Sequence, residues 1–407
     1  MKIKKLFLLL LTVIFSFCFV SCDFSSAEQY ITKDINWVIK AIEDYYYDDK
    51  ELSYSDYAKL IVDSVCDEYS EFYTKEEYEA LVEADSGNVI GIGVTFLKSS
   101  TDATIHTVYG NSPAENAGIT AGGTIIKVND TDVADYDEFS KEVLSKAVGE
   151  KFTLTIDYGG VIKTFTLARE AFVSNLVTYA DKDKGFRFNG EKGTNMVEKE
   201  GGNIPELPDN TAYVKFTNFY GDNTVQNIES CLDYAVGKGK TNIVIDLRSN
   251  GGGYVSMMSD IVALFVEGGK KLTAVAELKS GKTELYYTAK ENCRKFDKVY
   301  VLADEYSASA SEALMGALID YEVISYSDII IQNENPEEGI SRTFGKGIMQ
   351  STLVNNITGD ALKITTARIL WPVSGTCIHG VGIKATAENS TSTDAETLSR
   401  LVEILTK

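Results

Sequence analysis

Two nearly uninterrupted apolar runs constrain the C-terminal half of the chain more than any other feature. Asn242-Ile-Val-Ile-Asp-Leu247 ends in Arg248-Ser-Asn-Gly-Gly-Gly253, and Val299-Tyr-Val-Leu-Ala303 ends in a serine-rich turn, Ser307-Ala-Ser-Ala-Ser311. Strands that do not alternate apolar with polar residues are buried on both faces, so helices must cover both sides of a largely parallel sheet. The surrounding pattern agrees, with strand Ala212–Phe216, helix Thr224–Val236, helix Met257–Phe265 and an apolar helix Ser309–Ile319. This alternation predicts an α/β domain over about 173–407, within an α+β multidomain chain.

Upstream the character changes twice. Residues 22–86 carry apolar positions at helical spacing, and Thr74-Lys-Glu-Glu77 is a capping-box pattern. Residues 87–172 hold short β-type runs, Gly-rich turns and one helix from Tyr136, a small β-rich domain. Two polar stretches, about 181–210 and 326–340, read as a mobile linker and a looped-out insert.

The first residues read as a leader. Basic Met1-Lys-Ile-Lys-Lys5, apolar Leu6–Val20 and Ser21-Cys22 form a lipoprotein signal pattern. Cleavage before Cys22 predicts a lipid anchor on that thiol and an extracytoplasmic, membrane-attached protein of a bacterial envelope. Cys66, Cys231, Cys293 and Cys377 show no CxxC spacing, so neither a zinc nor a redox motif is expected, and free thiols are favoured over a disulfide. A net charge of −21 argues against a nucleic-acid partner.

Histidine is scarce. Only His106 and His379 are present, which speaks against a zinc hydrolase of the common kinds and leaves His379 as the one residue for a histidine-based triad. No metal or cofactor is predicted; the glycine run 251–253 fits neither GxxxxGK[ST] nor GxGxxG. A serine in the turn before Ala310 would sit at a helix N-terminus, where free N–H groups and the positive dipole end suit a nucleophile and its oxyanion. Lys346, between Gly345 and Gly347, can serve as a base only when desolvated, since an ordinary lysine of pKa about 10.4 is neutral about 0.1 % of the time near pH 7.4. Gln350 lies four residues on, where an amide can hold an amine without adding charge.

These segments together resemble the C-terminal processing peptidases, or tail-specific proteases, which join a crotonase/ClpP-like α/β spiral to a PDZ domain. Ser307-Ala-Ser-Ala-Ser-Glu312 is similar to the family's nucleophile motif, which puts the attack on Ser309; Gly345-Lys346-Gly347 with Gln350 is similar to its lysine and glutamine motif. Ile245-Asp-Leu-Arg-Ser-Asn-Gly-Gly-Gly253 resembles the family's DLRxNxGG, implying an oxyanion hole from the amides of Gly252 and Ala310, with Arg248 and Asp320 in supporting places. Gly91-Ile92-Gly93-Val94 resembles a PDZ carboxylate-binding loop, and Asp67-Glu-Tyr-Ser-Glu71 the segment leading into that domain. The resemblance implies a Ser–Lys endopeptidase acting on protein tails presented by the PDZ groove, compatible with a homodimer.

The chain departs from the family in three places. The stretch from Ser309 to Lys346 is longer than usual, Gly122-Gly123 replaces Gly-Asp, and Gly382-Ile-Lys-Ala-Thr386 replaces the usual Gly-Val/Ile-x-Pro-Asp. The competing expectation is a lipid-anchored PDZ scaffold whose catalytic site is silent or gated. An unrelated coenzyme A enzyme has only shared α/β architecture behind it.

Overall fold

The computed structural model describes residues 26–46, 52–86, 88–96, 102–189, 192–288, 293–336 and 339–407, so the leader and Cys22 lie outside the described residues. The chain divides into two units, residues 1–58 and 59–407. Helix α1 (Ser26–Tyr45) belongs to the first, and α2 (Tyr54–Val65) runs across the sequence boundary. Strand β1 (Glu71–Tyr73) precedes α3 (Lys75–Asp85), whose start is capped reciprocally: Thr74 Oγ1 accepts from Glu77 N–H, and the Glu77 carboxylate accepts from Thr74 N–H.

The small β domain follows, with β2 (Asn88–Gly91), β3 (Val94–Phe96), β4 (Ile105–Val108), α4 (Pro113–Asn116), β5 (Thr124–Val128), β6 (Thr131–Asp132), α5 (Tyr136–Leu144), β7 (Lys151–Asp157), β8 (Ile162–Ala168) and β9 (Glu170–Val173). It buries its own apolar cluster, including Ile105, Ile125, Phe139, Leu154 and Ile156.

The remaining elements are β10 (Val177–Ala180), β11 (Gly185–Asn189), β12 (Asn195–Glu198), β13 (Thr211–Phe216), α6 (Thr224–Gly237), β14 (Asn242–Asp246), α7 (Val255–Val262), β15 (Leu272–Leu278), β16 (Thr283–Tyr287), β17 (Lys298–Asp304), α8 (Ala310–Asp320), β18 (Ile329–Gln332), β19 (Ile348–Val354), β20 (Ala361–Leu370), β21 (Ser390–Thr391) and α9 (Asp394–Leu405). One sheet runs β12-β11-β10-β13-β14-β17-β18-β21, parallel from β13 to β21 and antiparallel at the β10–β12 end. A second, antiparallel sheet runs β1-β20-β15-β16, with β19 also on β20.

The apolar runs behave as their pattern predicts. Alternate residues of β14 and β17 point to opposite faces. Ile243, Ile245, Val299 and Val301 join the large core under α6, α7 and α8, while Val244, Tyr300 and Leu302 pack with Leu401 of α9 on the other face.

Three sequence expectations are corrected. Residues 181–210 are not a free linker: β11 and β12 extend the sheet, and Phe188 is fully buried. Residues 326–340 are not wholly an insert, because Ile329, Ile330 and Ile331 form a buried parallel strand. The region 22–86 is not purely helical, since β1 pairs with β20 across Glu71↔Lys363. All three errors arise where non-local pairing overrides local polarity.

Arg248 ties the ends of β14 and β18 to the start of α9. Its guanidinium donates to both carboxylate oxygens of Asp246 at 3.0 and 2.8 Å, to Asp394 at 2.7 Å and to Gln332 at 3.2 Å. Burial alone would raise the Asp246 pKa, but Lys215 and Arg248 overcome it and hold the carboxyl at about 2. Arg248→Ala leaves a fully buried carboxylate with Lys215 as its remaining nearby cation, beside the Tyr213 hydroxyl and the main-chain N–H of residue 248. We expect a loss of about 3 kcal/mol or more of unfolding free energy, measured by denaturant titration; an unchanged midpoint would contradict this role.

Candidate active site

The site forms at the carboxyl ends of parallel strands, where open α/β sheets place their ligands. The turn after β14 carries the glycines and the turn after β17 carries the serines. A polar lattice binds the two turns. Ser307 Oγ donates to Leu247 O at 2.8 Å, Ser311 Oγ to Asn250 O at 2.8 Å, and Ser249 N–H to Asp304 at 2.8 Å.

Ser309 precedes α8 with φ 56° and ψ −114°, a conformation costly for a residue with a side chain and the mark of a sharp strand-to-helix turn. Gly252 lies directly against it. A methyl carbon on Gly252 would sit 2.8 Å from Ser309 Cβ, Ala308 O and Ala310 N, and its φ is +97°. The Ala310 amide begins the helix, where no intrahelical acceptor exists. The Gly252 N–H donates to Asn250 Oδ1 at 3.0 Å. What Gly252 contributes as the site stands is the absence of a side chain.

A residue quoted in the serine motif but given no role organises the site. Glu312 is fully buried, and one of its oxygens accepts from both the Ser309 N–H at 3.0 Å and the Lys346 N–H at 2.9 Å. The other accepts from the Gly345 N–H at 2.8 Å and the Thr343 hydroxyl. Burial pushes the Glu312 pKa up while these four donors pull it down. The sequence signal was present, because Ser-x-x-Glu at a helix start is a capping box.

Lys346 follows from that anchor. Gly347 must be glycine, since a methyl carbon there would lie 2.6 Å from His379 N. Burial first, and nearby Lys363 second, push the Lys346 pKa down to about 8, against the pull of Asp67, Glu312 and Glu68. The Lys346 Nζ lies 4.5 Å from the Tyr69 ring centroid. Beside it, Asp67 stays below its usual pKa because, although burial raises it, hydrogen bonds from Thr365, Ser70 and two amides prevail. Tyr69 had no sequence signal beyond its place in the segment leading into the β domain.

The other predicted residues lie elsewhere or bond differently. Gln350 sits at a bulge between β19 and β20 and donates to Thr365 Oγ1 at 2.9 Å; no hydrogen bond joins it to Lys346 among the described residues. Asp320, at the far end of α8, accepts from Val373 N–H at 2.8 Å and Ser374 N–H at 2.9 Å, and so clamps a turn after β20. Arg248 serves the sheet as described. His379 is exposed, and His106 lies in β4 with its ring 5.3 Å from that of Tyr306. Cys66, Cys231, Cys293 and Cys377 are free thiols, and no group of three or more potential metal ligands occurs among the described residues.

In the small β domain, the Gly91–Val94 loop is pinned by Ile92 O accepting from Ala114 N–H and Gly93 O from Tyr109 N–H, both at 2.9 Å. Among the described residues, strand β3 pairs with β4 on one edge only. Toward α5, Phe96 packs its ring 5.2 Å from Tyr136 and 5.1 Å from Phe139.

Comparison with known proteins follows the same partition. Residues 210–388 match the model of Peptidase family S41, and residues 90–168 match that of the PDZ domain. A "Probable CtpA-like serine protease" of Staphylococcus aureus (strain N315) is 31 % identical over 329 residues, covering 80 % of this chain and 57 % of that protein. A protein of the same description from Staphylococcus saprophyticus is 30 % identical over 360 residues, covering 86 % and 64 %. The chain thus spans less than two thirds of these relatives' lengths. The photosystem II D1 C-terminal processing protease shares the fold at TM-score 0.56 and 21 % identity, over 93 % of each chain. Residues 90–168 are therefore a PDZ domain, and residues 210–388 are a segment of the peptidase family S41 type.

Proposed function

We propose that this chain is a serine endopeptidase of the C-terminal processing type, with Ser309 as nucleophile and Lys346 as general base. The observation that carries this reading is Glu312, which holds the main chains of both residues through one buried oxygen while Lys346 is kept near a pKa of 8. At that value about a fifth of the amine is neutral near pH 7.4.

Neutral Lys346 takes the proton from Ser309 Oγ as that oxygen attacks the scissile carbonyl carbon. The oxyanion accepts from the Ala310 N–H, and from the Gly252 N–H if the oxyanion displaces Asn250 Oδ1. The tetrahedral adduct collapses, and the Lys346 ammonium protonates the departing amine. A water then gives its proton to Lys346 and attacks the acyl ester, restoring Ser309. The open edge of β3 beside the Gly91–Val94 loop suits strand addition by a substrate's C-terminal tail, with loop amides on its carboxylate. Gln350 acts in this scheme by fixing the β19 bulge. Lipid anchoring at Cys22 and an extracytoplasmic location complete the proposal. A gated form of the enzyme is favoured by one contact, the packing of His106 from the PDZ domain on Tyr306 of the nucleophile turn. Labelling by a serine-reactive probe, lost in Ser309→Ala, separates an open from a silent site.

The pH profile tests the base. Raising pH removes the proton from Lys346 and creates the active form, so kcat/KM on an unstructured peptide should climb through about pH 8 and then level. A flat profile between pH 6 and 9 contradicts the assignment. Lys346→Met should lower kcat by about 10²–10⁴-fold or more. Its Tm at pH 7 should not fall, because folding no longer has to bury an ammonium.

Glu312→Gln turns an amide NH₂ toward buried N–H donors, with an expected loss of about 1–3 kcal/mol of stability. It also removes a negative charge that favours the Lys346 ammonium, so the rise in the pH profile should move to lower pH. A purely structural Glu312 would leave that midpoint in place.

A further inference from the structure

A cavity of about 380 Å³ lies between strand β4 of the PDZ domain and the glycine turn after β14, within the size range of small-ligand sites. Its walls include Asp85, Tyr109, Ser174, Thr217, Tyr220 and Gly252. Since Gly252 is packed on Ser309, a group in this cavity is adjacent to the bond being cut.

We propose that this cavity is a specificity pocket for a basic side chain, lysine or arginine, near the scissile bond of the substrate, with Asp85 selecting its charge. The proposal rests on the peptidase reading above. Asp85 is the only carboxylate among the lining residues, which include neither lysine nor arginine. His106 also lines the cavity, and burial holds its pKa below the ordinary value, so it brings no competing cation at neutral pH. Asp85 is fixed in place: Tyr254 OH donates to its carboxylate at 2.8 Å, and its main-chain carbonyl accepts from Gly221 N–H at 2.7 Å.

A second, independent observation concerns hydroxyls. Ser174 is 8 % exposed, and Ser174 Oγ and Thr217 Oγ1 are both buried without a hydrogen-bond partner among the described residues. Buried polar groups in native proteins are nearly always satisfied, so two orphans lining one cavity indicate a polar occupant. An ammonium or guanidinium has only donors, which a carboxylate and two hydroxyl oxygens can accept. The faces of Tyr109 and Tyr220 also favour a cation. An acidic side chain would meet Asp85, and an apolar one would leave both hydroxyls unpaired and the Asp85 charge uncompensated within the cavity.

The test uses the intact chain and unstructured peptides that differ only in carrying Lys, Met or Glu at one position within three residues of the cleaved bond. At one such position Lys should exceed Glu by about tenfold or more in kcat/KM, the effect of one charged hydrogen bond. Asp85→Asn, which keeps an acceptor for Tyr254, should shrink that ratio to about twofold, and Asp85→Lys should invert it. Thermal unfolding checks that both variants fold. A Lys:Glu ratio identical in wild type and Asp85→Asn at every position, with cleavage still dependent on Ser309, overturns the pocket and leaves the peptidase reading standing. Failure of every peptide to be cleaved overturns the peptidase reading instead. The pocket is then decided by fluorescence anisotropy of the labelled Lys and Glu peptides on Ser309→Ala and on Ser309→Ala with Asp85→Asn. Loss of Lys-peptide preference on the second substitution supports the pocket, and equal binding overturns it.

Discussion

A single buried carboxylate holds the main chains of Ser309 and Lys346 in register. The four donors to Glu312 come from two segments far apart in sequence, the serine turn and the stretch of residues 343–346. Neither segment has regular secondary structure to place it. A charge in such a place is costly to desolvate, and it is tolerated because every lone-pair direction finds a donor. The added length between serine and lysine is therefore absorbed without loosening the pair, since the tie is made at the ends of the excursion.

The same region stores strain. Ser309 occupies a backbone conformation that side chains avoid, and it is held there by the lattice of Ser307, Ser311, Asn250 and Asp304. Gly252 fits against it only for want of a Cβ. Rigid support by β14 and β17, buried on both faces, is what makes this conformation affordable.

Much of this was legible in the sequence because local pattern and tertiary role coincide there. The apolar runs of β14 and β17, the serine turn and the flanking glycines of Lys346 all announce themselves by composition. The roles of Arg248, Asp320 and Gln350 were less legible, because which partner a long polar side chain reaches depends on strands brought together from elsewhere. Gly252 shows a finer limit, since a glycine in the right turn does not reveal that Asn250 has engaged its amide. The polar stretches 181–210 and 326–340 misled for the opposite reason. Their strands are short and set among polar neighbours, so the apolar Ile329–Ile331 and the Phe186 and Phe188 positions were outweighed by the residues around them.

The short strand β1 and the turn before it carry a broader implication. Tyr69, which stands over the Lys346 amine, and Glu71, which pairs with Lys363, lie outside both the PDZ and the S41 segments. The burial on which the proposed role of Lys346 depends is thus supplied in part by a strip of chain that neither domain owns. A protein trimmed to its two recognisable domains would keep every residue of the proposed dyad yet wet the amine, returning it toward ordinary basicity. On the proposed mechanism, the working unit of catalysis is larger than the S41 segment alone.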